Sequence, residues 1–274
     1  MIKCKSLNEE IVMLLYFHLE KRTMRRIINR INNKTLIHKY VEHYQSLTES
    51  RELYISIDDI DYLNKFEIFK NDKEYSDLAL IYSKIKSFKI NLPYNIGLKS
   101  AKSFNKTIVN CYNLTSLILC FGIYYSDGIG IKVLNELLKS AINVTYLRLY
   151  LNSNKITDNS VKVLSESLSK ITNLIDILIR LDINKITDSG CFYLSDSLYL
   201  LNQLSSLHLN LNYNNIGVDA VNYLIDKLSQ IKSLKCLNLQ IESNKISEKE
   251  KLLLSYKFIN TFSKSMKFTI DFRI

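Results

Sequence analysis

VTYLRLYLNSNKITDNSVKVLSESLSKITN, residues 144–173, is followed at once by LIDILIRLDINKITDSGCFYLSDSLYLLNQ, residues 174–203, and this pair decides the fold. The pattern returns as LSSLHLNLNYNNIGVDAVNYLIDKLSQIKS from Leu204 and as LKCLNLQIESNKISEKEKLLL from Leu234. The period is 30 residues. A fixed period of this size denotes stacked units, each burying its apolar side against the next, rather than one closed core. Stacked units expose an extended surface, and such surfaces usually bind rather than catalyse.

Each block has two halves with different hydrophobic periods. The first alternates: Leu147, Leu149 and Leu151, then Ile177, Ile179 and Leu181, then Leu207, Leu209 and Leu211, then Leu237, Leu239 and Ile241. Period two predicts a strand with one buried face. The second half spaces its apolar residues by three and four, as in Val161, Leu164 and Leu168, or Cys191, Leu194 and Leu198, or Val221, Leu224 and Leu228. That spacing lays one stripe along a helix. Strand and helix in alternation predict parallel strands with helices on the opposite side.

Between the halves an Asn recurs at a constant offset, as Asn154, Asn184, Asn214 and Asn244. A strand-to-loop corner leaves backbone groups without sheet partners. An amide side chain both donates and accepts, so a stack of Asn can satisfy those corners. The expected role of these four is structural.

The blocks resemble the leucine-rich repeat family, of the ribonuclease-inhibitor-like kind with long helical repeats. The family pattern is LxxLxLxxNxL followed by a helix; here the strand half runs as LxxLxLxLxxNxI, two residues longer. The resemblance is clear over 144–254, with NKITDNSVKVLSESL and NKITDSGCFYLSDSL nearest the family pattern. Degenerate units continue it at both ends: LTSLILCF (114–121), where Tyr124 replaces the Asn, IKSFKINLPYN (85–95), LYISI (53–57) and FTIDF (268–272). The expected fold is an α/β leucine-rich repeat solenoid: a right-handed superhelix with a curved parallel sheet of about eight strands and outer helices, spanning 51–274 and preceded by a small helical cap over 1–50.

Composition narrows the function classes. With 274 residues, six Gly and one Pro, no flexible linker is evident. The longest apolar runs, such as Ile11 to Phe17, fall far short of the ~20 residues needed to cross a bilayer. The opening MIKCKSLNEE places acidic residues where a signal peptide would be apolar, so an intracellular protein, cytoplasmic or nuclear, is expected. Five cysteines (Cys4, Cys111, Cys120, Cys191, Cys236) form an odd set with no CxxC pair and read as reduced structural thiols. His18, His38, His43 and His208 are too few and too badly spaced for zinc. No metal site and no cofactor are expected. The net charge of +10 favours acidic partners, and Lys21, Arg22, Arg25, Arg26, Arg30, Lys34 and Lys39 form a basic run without an intervening acid. A solvated cap-helix face explains that run, and RNA or membrane-surface binding is the sharper alternative.

The segment LNEEIVMLLYFHLEKRTMRRI, 7–27, is apolar almost all round, and such a helix must be buried on more than one side. It resembles the start of an F-box, roughly LPxEIxxxIxxxL, with Leu7, Glu10, Ile11, Leu15 and Leu19 on the matching positions. Asn8 replaces the Pro of that pattern, and the later Trp is absent. An F-box ahead of leucine-rich repeats implies docking to a Skp-type adaptor and cullin, with the repeats recruiting the protein to be ubiquitinated. The plain alternative is a solenoid cap.

Alternation also fixes which side chains leave the core. If the Leu and Ile positions point inward, the concave sheet face carries Arg148, Tyr150 and Asn152; Leu178, Arg180 and Asp182; His208, Asn210 and Asn212; and Asn238, Gln240 and Glu242. Adjacent strands then set Arg148 beside Leu178 and Tyr150 beside Arg180. Tyr and Arg are frequent interface hot spots. The remaining Asp and Glu read as solvated. Without a Gly-rich phosphate loop, GxSxG or HExxH, the chain is expected not to be an enzyme. The expected function is a protein-interaction scaffold, in its sharpest form an F-box-type substrate receptor. A leucine-rich regulator of a GTPase or other enzyme is the alternative from the same repeat type. At the C-terminal end, Phe268, Ile270 and Phe272 alternate on a last strand, whose open edge is expected either to be capped by the 250–265 helix or to dimerise.

Overall fold

The computed structural model describes residues 52–54, 86–92, 111–121, 127–262 and 267–271. All belong to one compact unit built from Glu52–Phe66 and Tyr82–Ile274. The F-box-like residues Leu7, Glu10, Ile11, Leu15 and Leu19, and the basic run at 21–39, lie outside the described residues.

Among the described residues the alternating stretches are strands. In chain order these are β1 (Glu52–Tyr54), β2 (Ser87–Leu92), β3 (Ser116–Phe121), β4 (Tyr146–Tyr150), β5 (Asp176–Arg180), β6 (Ser206–Asn210), β7 (Cys236–Gln240) and β8 (Lys267–Asp271). Among the described residues they form one eight-stranded sheet in sequence order, all neighbours parallel. The periodic halves are helices: α1 (Asp127–Leu138), α2 (Asp158–Leu168), α3 (Asp188–Tyr199), α4 (Val218–Ser229) and α5 (Glu248–Phe262). The molecule is therefore an α/β solenoid of leucine-rich repeat type.

From β3 to β7 each residue lies beside the one 30 positions later, so equivalent side chains stack in columns. Leu117, Leu147, Ile177, Leu207 and Leu237 make one fully buried column, and Leu119, Leu149, Ile179, Leu209 and Leu239 the next. Leu164, Leu194, Leu224 and Leu254 answer them from the helices, and every one is buried. At 25 cal/mol per Å² of apolar area, each such leucine contributes about 2 kcal/mol. The register slips by one residue at β8, where Leu237 pairs with Phe268. There the core turns aromatic: Phe258 of α5 meets Phe262 at 4.7 Å and Phe268 at 5.3 Å, both edge-on. The C-terminal helix thus packs over the inner side of β8.

The recurring Asn forms a continuous ladder. The Asn184 carbonyl accepts from the Asn154 and Ile156 amides of the preceding repeat at 3.0 and 2.9 Å. Its NH2 donates back to Leu151 O at 3.1 Å and, within its own repeat, to Leu181 O at 2.9 Å. Asn214 repeats this with Ile186 N, Leu181 O and Leu211 O, and Asn244 with Ile216 N, Leu211 O and Ile241 O. Each amide thereby satisfies the corner of two repeats at once.

A second ladder is built from acids between strand and helix that are not simply solvated. The Asp158 carboxylate accepts from Thr187 N (2.8 Å), Thr187 Oγ1 (2.6 Å) and Gly190 N (3.0 Å). The start of α3 is capped not by its own Thr187 side chain but by the preceding repeat. Asp188 does the same for Gly217 N at 2.6 Å. At α5, where no such Asp precedes, Ser247 and Glu250 form a reciprocal capping box instead.

Two substitutions test these ladders in urea denaturation. Asn184→Ala is expected to cost about 3 kcal/mol by stranding buried corner amides. Gly190→Ala places a Cβ 2.5 Å from Asp158 Oδ1 and 2.7 Å from Ile186 Cγ2, and is expected to cost about 2 kcal/mol.

Candidate protein-binding face

Side chains between the core columns emerge on the far side of the sheet from the helices, in rows set by register. The central row runs Lys89, Ile118, Arg148, Leu178, His208, Asn238, Thr269. The next holds Tyr150, Arg180, Asn210 and Gln240. On the other flank lie Tyr146, Asp176, Ser206 and Cys236. Arg148 does neighbour Leu178, and Tyr150 does neighbour Arg180.

The two arginines are held differently. The Arg148 guanidinium sits over the Tyr146 ring, 3.8 Å from its centroid, and hydrogen-bonds to the Asp176 carboxylate on the next strand. Its side chain is largely buried by these partners. A guanidinium fixed by a ring on one side and a carboxylate on another has little rotamer freedom left to lose on binding. Arg180 is nearly half exposed at its side chain (45%) and reaches along its own strand to Asp182, Nε to Oδ1 at 3.3 Å. Asp182 itself is buried, so it anchors Arg180 rather than presenting a carboxylate to solvent. Leu178, between Arg148 and His208, is half-buried, as are Ile118 and His208. Asn210 spends its carbonyl on the Asn212 amide at 3.0 Å, which leaves its NH2 for other contacts. Gln240 is half-buried farther along that row.

A second feature borders this face. Just before each ladder Asn the backbone turns left-handed: Ser153 at φ 59°, Ile183 at 57°, Tyr213 at 55° and Ser243 at 53°. That turn lets the parallel ladder run past the strands, with Ile183 N donating to Asn212 O (2.9 Å) and Tyr213 N to Glu242 O (2.9 Å). Non-glycine residues meet a steric cost there, largest for the β-branched Ile183. Ile183 and Tyr213 are also more than half exposed. No Gly or Asn marked these positions; only their constant offset from the ladder Asn could have revealed them.

Among the described residues no group of three His, Cys, Asp or Glu side chains is placed to hold a metal ion. No helix among them is long and apolar enough to cross a membrane. Cys120, Cys191 and Cys236 are free thiols. Burial pushes the Cys111 and Cys191 thiols up to about 12, so both are neutral near pH 7.

No protein-family model matches this chain, and no curated protein is significantly similar to it. Solved structures overlap it at low identity. The leiomodin-1 actin-binding site 2 structure is 17% identical over 50% of this chain and 78% of that one, with a TM-score of 0.37. The tropomodulin C-terminal domain of Caenorhabditis elegans is 12% identical over 71% and 95%, at 0.37. A Bacteroides fragilis protein is 14% identical over 80% and 73%, at 0.31. The repeat assignment stands on the register and the Asn ladder themselves.

Relieving the left-handed strain at the rim is expected to stabilise the fold. Ile183→Gly should raise the unfolding free energy by about 1 kcal/mol; an unchanged or lower urea midpoint would show that the Ile183 side chain makes compensating contacts.

Proposed function

We propose that this chain is a non-enzymatic protein-interaction scaffold whose sheet face takes a protein partner around Arg148, Leu178 and Arg180. The carrying observation is the Tyr146–Arg148–Asp176 arrangement beside half-buried Leu178. Solubility alone asks for polar side chains on such a face. It does not ask for a guanidinium fixed between a ring and a carboxylate next to an aliphatic side chain. Rigid Tyr and Arg anchors flanked by apolar surface are the features that concentrate binding energy. Tyr150, His208, Asn210 and Gln240 extend the face along the array.

The finer form of this reading is a substrate receptor of a ubiquitin ligase. It rests on the F-box-like residues Leu7, Glu10, Ile11, Leu15 and Leu19, and adds a Skp-type adaptor and cullin as partners.

Affinity purification of the full chain from its native cells, with mass spectrometry, tests both levels. Leu178→Asp combined with Arg180→Ala is expected to weaken the sheet-face partner by at least about 2 kcal/mol, roughly thirtyfold in Kd, with thermal unfolding unchanged. Full retention of every partner by that variant would remove the sheet face as the site. Deleting residues 1–50 should lose adaptor and cullin while keeping the sheet-face partner; if the full chain captures neither, the ubiquitin reading fails and the scaffold reading stands.

A further inference from the structure

Helices end and strands begin along one edge of the solenoid, and the connections there carry charge of one sign. They are 139–145 after α1, 169–175 after α2, 200–205 after α3 and 230–235 after α4. They hold Lys139, Lys170, Lys232 and Lys235, with no Asp, Glu or Arg. Lys86 precedes β2 and Lys267 opens β8 on the same edge. All six lysines are exposed. Lys139 pairs with Glu136 at 2.8 Å, and the other five make no ion pair with a described residue. In the helical turns bordering this edge Asp196 and Asp226 are taken by Lys227 and Lys257, while Glu166 of α2 is exposed. Asp176, at the start of β5, is taken by Arg148. The opposite edge is mixed: Lys155, Lys185 and Lys245 stand among Asp158, Asp188, Asp219 and Glu242.

Backbone bonds draw this edge into rows. Ile175 N donates to Thr145 O at 2.8 Å, Lys235 N to Ser205 O at 2.8 Å and Lys267 N to Lys235 O at 2.9 Å, so the strand entries follow one another at the ~4.8 Å spacing of the sheet. The turn tips are tied in the same way: Asn173 Nδ2 donates to Ile142 O at 3.1 Å, and Ser233 Oγ to Leu204 O at 2.8 Å. Between the lysines the edge presents apolar side chains, with Tyr112, Ile142, Ile175 and Leu200 all exposed. Lys139 and Lys170 also complement the negative C-terminal ends of α1 and α2. Lys86, Lys235 and Lys267 stand at strand starts, where no helix end accounts for them.

We propose that this edge seats on an anionic lipid surface, with Ile142, Ile175 and Leu200 entering the headgroup layer and the lysines around them meeting the lipid phosphates and carboxylates. Charge complementarity calls for an anionic occupant, and the residue types select among anions. A protein interface is depleted in lysine and uses arginine where a carboxylate is held in fixed geometry; this edge has lysine and no arginine. Single-stranded RNA is held on aromatic faces and guanidinium planes, and aliphatic turn tips offer neither. A fluid bilayer needs no fixed geometry. It asks for point charges on long stems and for apolar side chains that enter the boundary beneath the headgroups. Each lysine near such a surface adds a similar increment of attraction, so a row of them adds up. The rows make the edge linear, so that successive repeats can meet one surface together.

Co-sedimentation of the full chain with vesicles of phosphatidylcholine containing about 30% phosphatidylserine tests this. Binding is expected at low salt and should fall as salt rises. Lys170→Glu, Lys232→Glu and Lys235→Glu together should weaken partitioning roughly a hundredfold, with an unchanged circular-dichroism melt because all three are exposed. Lys155→Glu, Lys185→Glu and Lys245→Glu, the same change in net charge on the opposite edge, should retain binding. The chain has no Trp, so Ile142→Trp supplies a single emission that should shift to the blue on these vesicles. A wild-type chain that ignores the vesicles, as it would if RNA or an acidic protein were the occupant, overturns the proposal. So does binding that survives the first triple variant, equal loss in both triple variants, or an unshifted emission. None of these results bears on the sheet face, whose test is partner capture by the Leu178 and Arg180 variant.

Discussion

The side-chain amide of one asparagine per repeat is the interaction on which the rest depends. A parallel strand must leave the sheet before its helix begins, and at that corner its backbone groups lose their partners. Burying them unpaired would cost on the order of 1–3 kcal/mol each. Asn184, Asn214 and Asn244 remove that cost, because each amide reaches both its own corner and the one before. With the corners dry, Leu151, Leu181, Leu211 and Ile241 can be buried directly beneath them. The apolar columns follow from this pinning as much as from their own hydrophobicity.

Much of this was legible in the sequence because hydrophobic periods and the Asn offset are local signals. Period two placed β4 to β7, and three-four spacing placed α2 to α4. The weak units at LTSLILCF and FTIDF were legible too, since alternation survives there without the Asn. What stayed hidden was chemistry between repeats. Asp158 and Asp188 look like ordinary helix-start acids, and nothing local says that they cap the following helix rather than their own. The row neighbours of Arg148 were readable from the period. Its capture by Tyr146 and Asp176 was not, because that depends on rotamers and on which acid the register brings within reach. Asp182 read as part of an exposed face, but it lies where the strand leaves the sheet and is buried there, holding Arg180.

The sheet face and the helix side follow different rules. Along the sheet each residue has a neighbour one repeat away, so binding groups come as rows, and a partner that fits one repeat meets related chemistry on the next. The rows change character along the array, from Arg148 and Arg180 on β4 and β5 to Asn238 and Gln240 on β7. On the helix side the contacts are less regular: Lys227 pairs with Asp196 between α3 and α4, and Lys257 with Asp226 between α4 and α5.

Strict 30-residue registry also governs how such a chain can change length. One residue inserted in a strand would turn every following side chain to the wrong face and break the amide contacts beyond it. Excising residues 174–203 whole would instead bring Asn214 against the corner of Asn154, and Leu207 beside Leu147, with each column unbroken. Size in this architecture is therefore quantised: the chain can grow or shrink by complete repeats while its core stays the same, and a binding row gains or loses one position with each step.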